Sequence, residues 1–570
     1  MTSRALDRLL DQLEEAKRPS GAARLQSLRG LLSRLRRTRF RDSSQLIRFH
    51  EILLFMRAYP QSPALLRQTE SLLASFGERV RELSREGAEM TPFTEPDVSG
   101  ISETSFSTTY SYDMFRHLAR EHPSRVEIDW DGYDEEERFA LVMARFLPLL
   151  EEDSYVETYY PLLDFLRAAR GRKGSDLSWV LGCFERLDLP EKAKAELFDS
   201  MKLWLRWEVG GSGAARTRMK LSRHKPFYHT GALLRRADVS LAKELDAPPL
   251  HVEKLTRAEG ERLLRAGRAT MALRYRELHG YTCGDPATVR RAEAGRGVEL
   301  FVWGVPHERR LPTLAYHAAL ILKNGVPHGY AEALSLFERS EVGLNLFYTF
   351  RDGESAWIYA RLLRLFRQLL GIEVFSIDPY QLGHENEEGL ASGAFWFYRK
   401  LGFRPIQPAL MKITEAEERR IARRAGYRSG ARILQELVSG HVIFEYARAA
   451  SGEWDSFHVR NLGLAVQRRL ASRAGGDARR LREKSEAQVS NALGISTRRW
   501  NEREREAFSN LSLLLSLVPN LSDWSSNEKR ALIEIVRAKA GRDEARYLRL
   551  LQAHARLRGE IIRLGSARRG

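Results

Sequence analysis

Apolar positions change period several times along the chain, and each change predicts a different element. Leu6, Leu9 and Leu13, then Leu25, Leu28, Leu32 and Leu35, recur every three to four residues on either side of a Pro19-Ser20-Gly21 break. This predicts amphipathic helices over 4–90, packed within the chain because the seam is too short for a coiled coil. Thr91 to Tyr112 loses the period, carries Pro92 and Pro96 among Ser/Thr clusters, and predicts a linker. Helical spacing returns from Asp113, includes 155–170, and runs on after Pro190 through the apolar positions of 191–209 to Gly210-Gly211-Ser212-Gly213. Proline in a first helical turn removes no hydrogen bond.

From Pro248 the pattern turns strand-like. Pro248 to Leu255 and Val298 to Gly304 predict strands, with a helix from Glu259 to Leu278 between them. The run from Leu314 to Leu322 reaches Lys323-Asn324-Gly325-Val326-Pro327, and 328–337 returns from it. Asn-Gly between apolar runs is the strongest short-range hairpin signal. Val342 to Phe350 predicts a further strand, Arg351 to Ser355 a polar turn, and Ala356, Tyr359, Leu362, Leu363, Phe366 and Leu369 a helix. Ile372 to Ile377 predicts a strand, Ala394 to Leu401 a short aromatic helix stopped by Gly402, and Phe403 to Ile406 a return to the sheet. Beyond Leu410 the chain is polar and helical, with 511–518 too short to span a bilayer. Tyr547, Leu551, His554, Leu557 and Ile561 share one face of a last helix, which makes His554 a packed core histidine. The expected organisation is a helical region 1–90, a linker 91–112, a helical domain 113–247, an α/β domain 248–412 and a helical region 413–570.

With 570 residues the chain is long enough for several domains. No run of about 18 apolar residues predicts a membrane span, and the N-terminus lacks the apolar core of a signal peptide. A cytoplasmic location without a membrane partner is expected. Cys183 and Cys283 are the only cysteines, too few for a disulfide framework or a cysteine-rich zinc site. His224 and His229 are not spaced as a metal pair, and no metal is expected. The net charge of +17 reads first as solvated helix faces. Nucleic acid is the lesser reading of that charge, because no aromatic-basic RNA motif accompanies it.

The order hairpin, strand, glycine turn, helix, strand, together with Ala394 to Phe403 (AFWFYRKLGF), resembles the core of the GNAT superfamily of acyl-CoA N-acyltransferases over about residues 250–412. The resemblance implies a mixed α/β sheet with flanking helices, acyl-CoA (acetyl-CoA first) as co-substrate, and transfer to an amine on a small molecule or protein. The family pattern Gln/Arg-x-x-Gly-x-Gly/Ala, set on Gly353, places Phe350 at its first position and Ser355 at its second glycine. Phe350, Arg351, Gly353, Glu354, Ser355 and Ala356 are thus the candidate pyrophosphate cradle, where a helix N-terminus favours an anion. Asp352 and Glu354 must then point away from the phosphates. The resemblance also implies that Tyr398 donates to the departing thiolate.

An amine of ordinary pKa is neutral only about one part in 2,500 at pH 7, a cost of about 4.6 kcal/mol, so a general base is worth finding. Glu332, Glu341, Asp378 and His317 are candidates on or beside the central strands. Glu332 alternates with Tyr330, Leu334 and Leu336, and apolar neighbours raise a carboxyl pKa, so it is the chosen base. The family's Asn-x-x-Ala-x-x-Phe-Tyr spacing is not kept. Asn386 stands farther from Tyr398, in a longer loop over 378–393. Asp378, Tyr380, Gln381, His384 and Asn386 in that loop are candidate acceptor contacts. Two other functions fit parts of the pattern. Basic flanks suit an aminoacyl-tRNA-dependent transferase on a similar fold, and the altered glycine motif suits a catalytically silent binding or scaffold protein.

Overall fold

The computed structural model describes residues 3–19, 23–150, 162–172, 174–221, 224–446 and 452–566. Ser20-Gly21 of the first helix break and the start of the helix expected over 155–170 lie outside them. The described residues are mixed α/β, with helices flanking a central sheet. No helix among them is long and apolar enough to cross a membrane.

The N-terminal region is helical over Ser3–Ala16, Ala23–Arg36, Ser43–Ala58, Pro63–Ala74 and Phe76–Arg85. Asp42 and Ser62 cap the third and fourth of these helices by accepting the N–H of Gln45 and Leu65. The expected linker and helical domain turn out to hold strands. β1 (Ser105–Thr109), β2 (Val126–Ile128) and β3 (Trp204–Glu208) form an antiparallel sheet in the order β1-β3-β2. The helix Glu191–Ser200 stops short of β3, and Lys202 turns the chain at φ 51°. In β3, Leu205 and Trp207 are buried and alternate with Arg206 and Glu208, a period of two that hid behind the helical pattern before it.

The central sheet holds β4 (Val252–Lys254), β5 (Arg290–Gly295), β6 (Val298–Trp303), β7 (Ala315–Lys323), β8 (Val326–Leu336), β9 (Arg339–Leu346), β10 (Val374–Ile377), β11 (Arg404–Pro405) and β12 (Val442–Glu445). Their order is β11-β12-β10-β9-β8-β7-β6-β5-β4. Asn324 and Gly325 both take positive φ, 49° and 80°, and close the β7–β8 hairpin with Lys323 facing Val326. All neighbours are antiparallel except β9 and β10, which run parallel through the helix Ser355–Leu370.

Strand β7 is buried throughout because both faces of the sheet are covered. Its Tyr316, Ala318, Leu320 and Leu322 cluster with Phe49, Phe55 and Tyr59 of the N-terminal region and with Leu264 of the helix Arg257–Ala272. Ala315, Ala319 and Ile321 cluster instead with Leu362 and Phe366 of the helix Ser355–Leu370 and with C-terminal residues such as Leu548 and Leu551. The sheet does not end at 412. Its last strand, β12, lies within the expected helical region and pairs with both β10 and β11. The expected last helix is two, Glu544–Ala553 and Ala555–Ser566, broken at His554. His554 is buried, with Nε2 3.0 Å from the Glu528 carbonyl, as a packed histidine should be.

Candidate functional site

Strand β10 pairs with β9 only at Arg339, Ser340 and Glu341, whereas β9 runs on to Leu346. The outer edge of β9 past Glu341 is therefore unpaired, because β10 stops at Ile377. Beside that edge, past the end of β10, lies a cleft of about 250 Å³, lined among others by Leu344, Arg351, Ser355, Gln381, Asn386 and Tyr398. Five of the expected site residues thus meet in one cavity: Arg351, Ser355, Gln381, Asn386 and Tyr398. The amides of Ser355, Ala356 and Trp357 open the helix Ser355–Leu370, where no intrahelical acceptor exists for them. Arg351 ion-pairs with Glu388 across the cleft.

The rest of the expected cradle is committed elsewhere. Strand β9 ends at Leu346, and Tyr348–Phe350 forms a 3-10 turn rather than the end of a strand. Phe350 is buried, its ring 4.7 Å from that of His328. Gly353 faces Tyr59, whose phenol a Cβ at that position would strike. Glu354 is fully buried, 2.9 Å from the Lys323 ammonium, 2.8 Å from Arg296 and 3.2 Å from the Leu234 N–H. Burial alone would raise its carboxyl, but Arg296 and Lys323 outweigh this and hold it down to about 2. Asp352 pairs with Arg18 at 2.8 Å. Both acids of the turn therefore point away from the helix N-terminus.

Glu332, on β8, lies opposite Gly343 of β9 and so on the same sheet face as Tyr316 and Tyr330. It accepts the Tyr316 hydroxyl, which in turn accepts the Gly280 N–H at 3.0 Å. Burial raises its carboxyl above the ordinary range, against the Tyr316 hydrogen bond and the nearby His279. Gly343 brings no side chain between Glu332 and Gln381; a Cβ there would stand 3.4 Å from the Gln381 amide. Tyr398 belongs to the opposite face, where its ring packs 5.6 Å from that of Tyr359. Burial raises its phenol. His317, another base candidate, is buried near Asp543 and Glu544 on the face away from Glu332, and burial lowers its pKa.

In the loop after β10, Asp378 caps the turn Pro379–Leu382 by accepting the Tyr380 N–H at 2.9 Å. Asn386 caps Glu387–Ser392 and donates to the Tyr380 carbonyl at 2.9 Å. Tyr380 and His384 are exposed. The second Asp378 oxygen faces His441, which also faces Glu341. No sequence motif marks His441. It immediately precedes β12, in a stretch whose only sequence signal is a short apolar run after Gly440. Burial opposes its charge, but Asp378 and Glu341 outweigh burial and raise the imidazole to about 9.

Compared with known proteins, the chain matches no family description, no curated protein and no solved structure.

Proposed function

We propose that the chain transfers an acyl group from an acyl-CoA thioester to an amine, and that the donor lies in the cleft beside the free edge of β9, past the end of β10. The observation that carries this is the coincidence of three features in one cleft: an unpaired strand edge, a helix N-terminus with Arg351 beside it, and a phenol. The peptide-like amides of pantetheine suit an unpaired strand edge, as added strands do. The amides at 355–357 and Arg351 suit a pyrophosphate. The single parallel pair, and the last strand set between β10 and the edge strand, are arrangements that support a GNAT-like fold for this part of the chain.

Donor and acceptor approach from opposite faces in this reading. Ser355 and Tyr398 belong to the face of the helix Ser355–Leu370, and Glu332 to the other. Burial displaces the Glu332 carboxyl upward, whereas Asp378 is held low, chiefly by His441 beside it. Glu332 therefore takes the ammonium proton, across Gly343 from Gln381. Tyr398 hydrogen-bonds the leaving thiolate. Even in water a phenol gives its proton to a thiolate uphill by about 2 kcal/mol, and burial widens that gap, so the bond rather than full transfer is its contribution.

Thermal melts of the full chain with CoA, acetyl-CoA, longer acyl-CoAs and tRNA test this. At 100 times Kd a ligand selective for the folded chain adds about 2.7 kcal/mol. Stabilisation by CoA thioesters is expected. A shift with tRNA alone would favour the aminoacyl-tRNA alternative, and no shift with any of them would leave a binding or scaffold protein.

A further inference from the structure

Glu341, Asp378 and His441 come from three different elements. Glu341 is on β9, Asp378 directly follows β10, and His441 directly precedes β12. Among the described residues they are the group of three or more His, Cys, Asp or Glu whose donor atoms all lie within 4.8 Å of one another. His441 Nε2 is 3.4 Å from Asp378 Oδ2 and 3.7 Å from Glu341 Oε2. Both separations exceed the 2.7–3.2 Å or so of an N–H···O hydrogen bond. Histidine–carboxylate gaps elsewhere in the fold fall on either side of these, 2.9 Å at His50–Glu51 and 3.0 Å at His307–Glu506 but 3.9 Å from His224 to Glu293 and to Glu299; what sets this group apart is that all three donor atoms close on one point.

The spacing instead suits ligands around a small cation. Zinc bonds of about 2.0–2.2 Å in a tetrahedron set donor atoms about 3.3–3.6 Å apart. We infer that Glu341, Asp378 and His441 form a binding site for one divalent cation of the zinc class, with one nitrogen and two carboxylate ligands. Asp378 is prepared for this. Its Oδ1 is held by the Tyr380 N–H at 2.9 Å, which turns Oδ2 toward His441. His441 is steadied by the ring of His458, 6.0 Å away edge-on. Three protein ligands leave a fourth position for water or a ligand oxygen, the pattern of catalytic rather than structural zinc. A mixed nitrogen–carboxylate set favours zinc over magnesium or calcium, which take oxygen donors. The inference stands on this geometry and does not depend on the acyl-transfer reading.

Full-length protein stripped with a chelator and then freed of it, titrated with zinc chloride by calorimetry and by competition with a chromophoric chelator, tests the site. One zinc per chain is expected, undisturbed by millimolar magnesium. Asp378→Asn keeps a capping residue and Glu341→Gln keeps the side-chain shape, and each should weaken zinc at least about a hundredfold, beyond what losing an outer partner costs. His441→Asn should do the same, and His251→Gln, at an exposed histidine just before β4 on the far edge of the sheet, should leave zinc binding unchanged. Melting and circular dichroism establish that each variant is folded; should His441→Asn fail to fold, Asp378→Asn and Glu341→Gln decide. Absence of stoichiometric zinc in the wild type, or zinc binding that survives Asp378→Asn and Glu341→Gln, overturns the inference.

Discussion

The phenol of Tyr59 accepts the backbone N–H of Glu354 at 3.2 Å, so the end of an N-terminal helix and the turn before the helix Ser355–Leu370 are bonded across 295 positions of chain. The same hydroxyl lies 2.9 Å from His328 Nε2 on β8. The glycine turn is therefore a docking point for the N-terminal region as well as the entrance to a helix.

Tyr59→Phe should destabilise the chain by about 1–3 kcal/mol, because it strands a buried amide and a buried imidazole. Gly353→Val should be worse, since its side chain would meet the phenol. Chemical denaturation checks both. A Gly353→Val protein as stable as wild type would mean that the N-terminal region does not sit on this turn.

Acid should loosen that contact. Glu51, paired with Arg216 at 2.8 Å, and Glu354 are both held down to about 2 despite burial. In the unfolded chain each titrates near 4.3. Between about pH 4.3 and 2 the unfolded state binds more protons, so stability is complete above this window and falls as pH drops through it. Each group can account for about 3 kcal/mol at most. Melting temperature against pH should bend downward below about 4.3. Glu354→Gln should start lower at neutral pH, with Lys323 left buried without its carboxylate and holding only the Arg296 carbonyl and the Tyr59 ring, and bend less.

Arg351→Ala should weaken CoA binding about tenfold to a hundredfold, the range of one charge-assisted hydrogen bond, and leave the melting temperature of the free protein nearly unchanged. Its side chain is partly exposed and its partner Glu388 is at the surface, so little folding energy rests on the pair. Calorimetric titration with CoA separates the two effects. Unchanged affinity would move the phosphates away from this cleft.

Once an acceptor is found, Glu332→Gln should lower turnover by about 10² to 10⁴ near neutral pH and recover partly at higher pH, where more amine is already neutral. Tyr398→Phe should cost less with acyl donors whose thiol leaves easily, and CoA affinity should hold. Equal loss of donor binding in both variants would make them packing residues. Steady-state rates over a pH series distinguish these outcomes.

Much of the sheet could be read from short-range pattern. Asn324-Gly325 announces its hairpin by itself, and the apolar spacing of 356–369 announces the helix on β9 and β10. Some strands of three to five residues could not be read. Val442–Glu445 is too short to show a period, and Trp204–Glu208 follows a helical stretch of similar composition. That Arg351, Ser355, Gln381, Asn386 and Tyr398 would line one cleft was legible because they lie on the local strand-turn-helix frame and the loop after it. Phe350 and Glu354 were misplaced because their partners, His328, Lys323 and Arg296, are distant in sequence. His441 was invisible for the same reason: its meaning comes from Asp378 and Glu341, and only the closing of the sheet brings them together.

The insertion of β12 between β10 and β11 has a consequence for how the chain is made. As synthesis proceeds from the N-terminus, β10 leaves the ribosome with a bare edge, and β11 follows with no neighbour to pair with. Both must wait until Val442–Glu445 emerges, after the helices Pro408–Arg423 and Ala431–Leu437. During that interval the exposed β10 edge, rich in Val374, Phe375 and Ile377, invites pairing with other nascent chains. A fragment cut at 412 would remain in that state permanently, so the α/β part should be produced with its C-terminal neighbour attached.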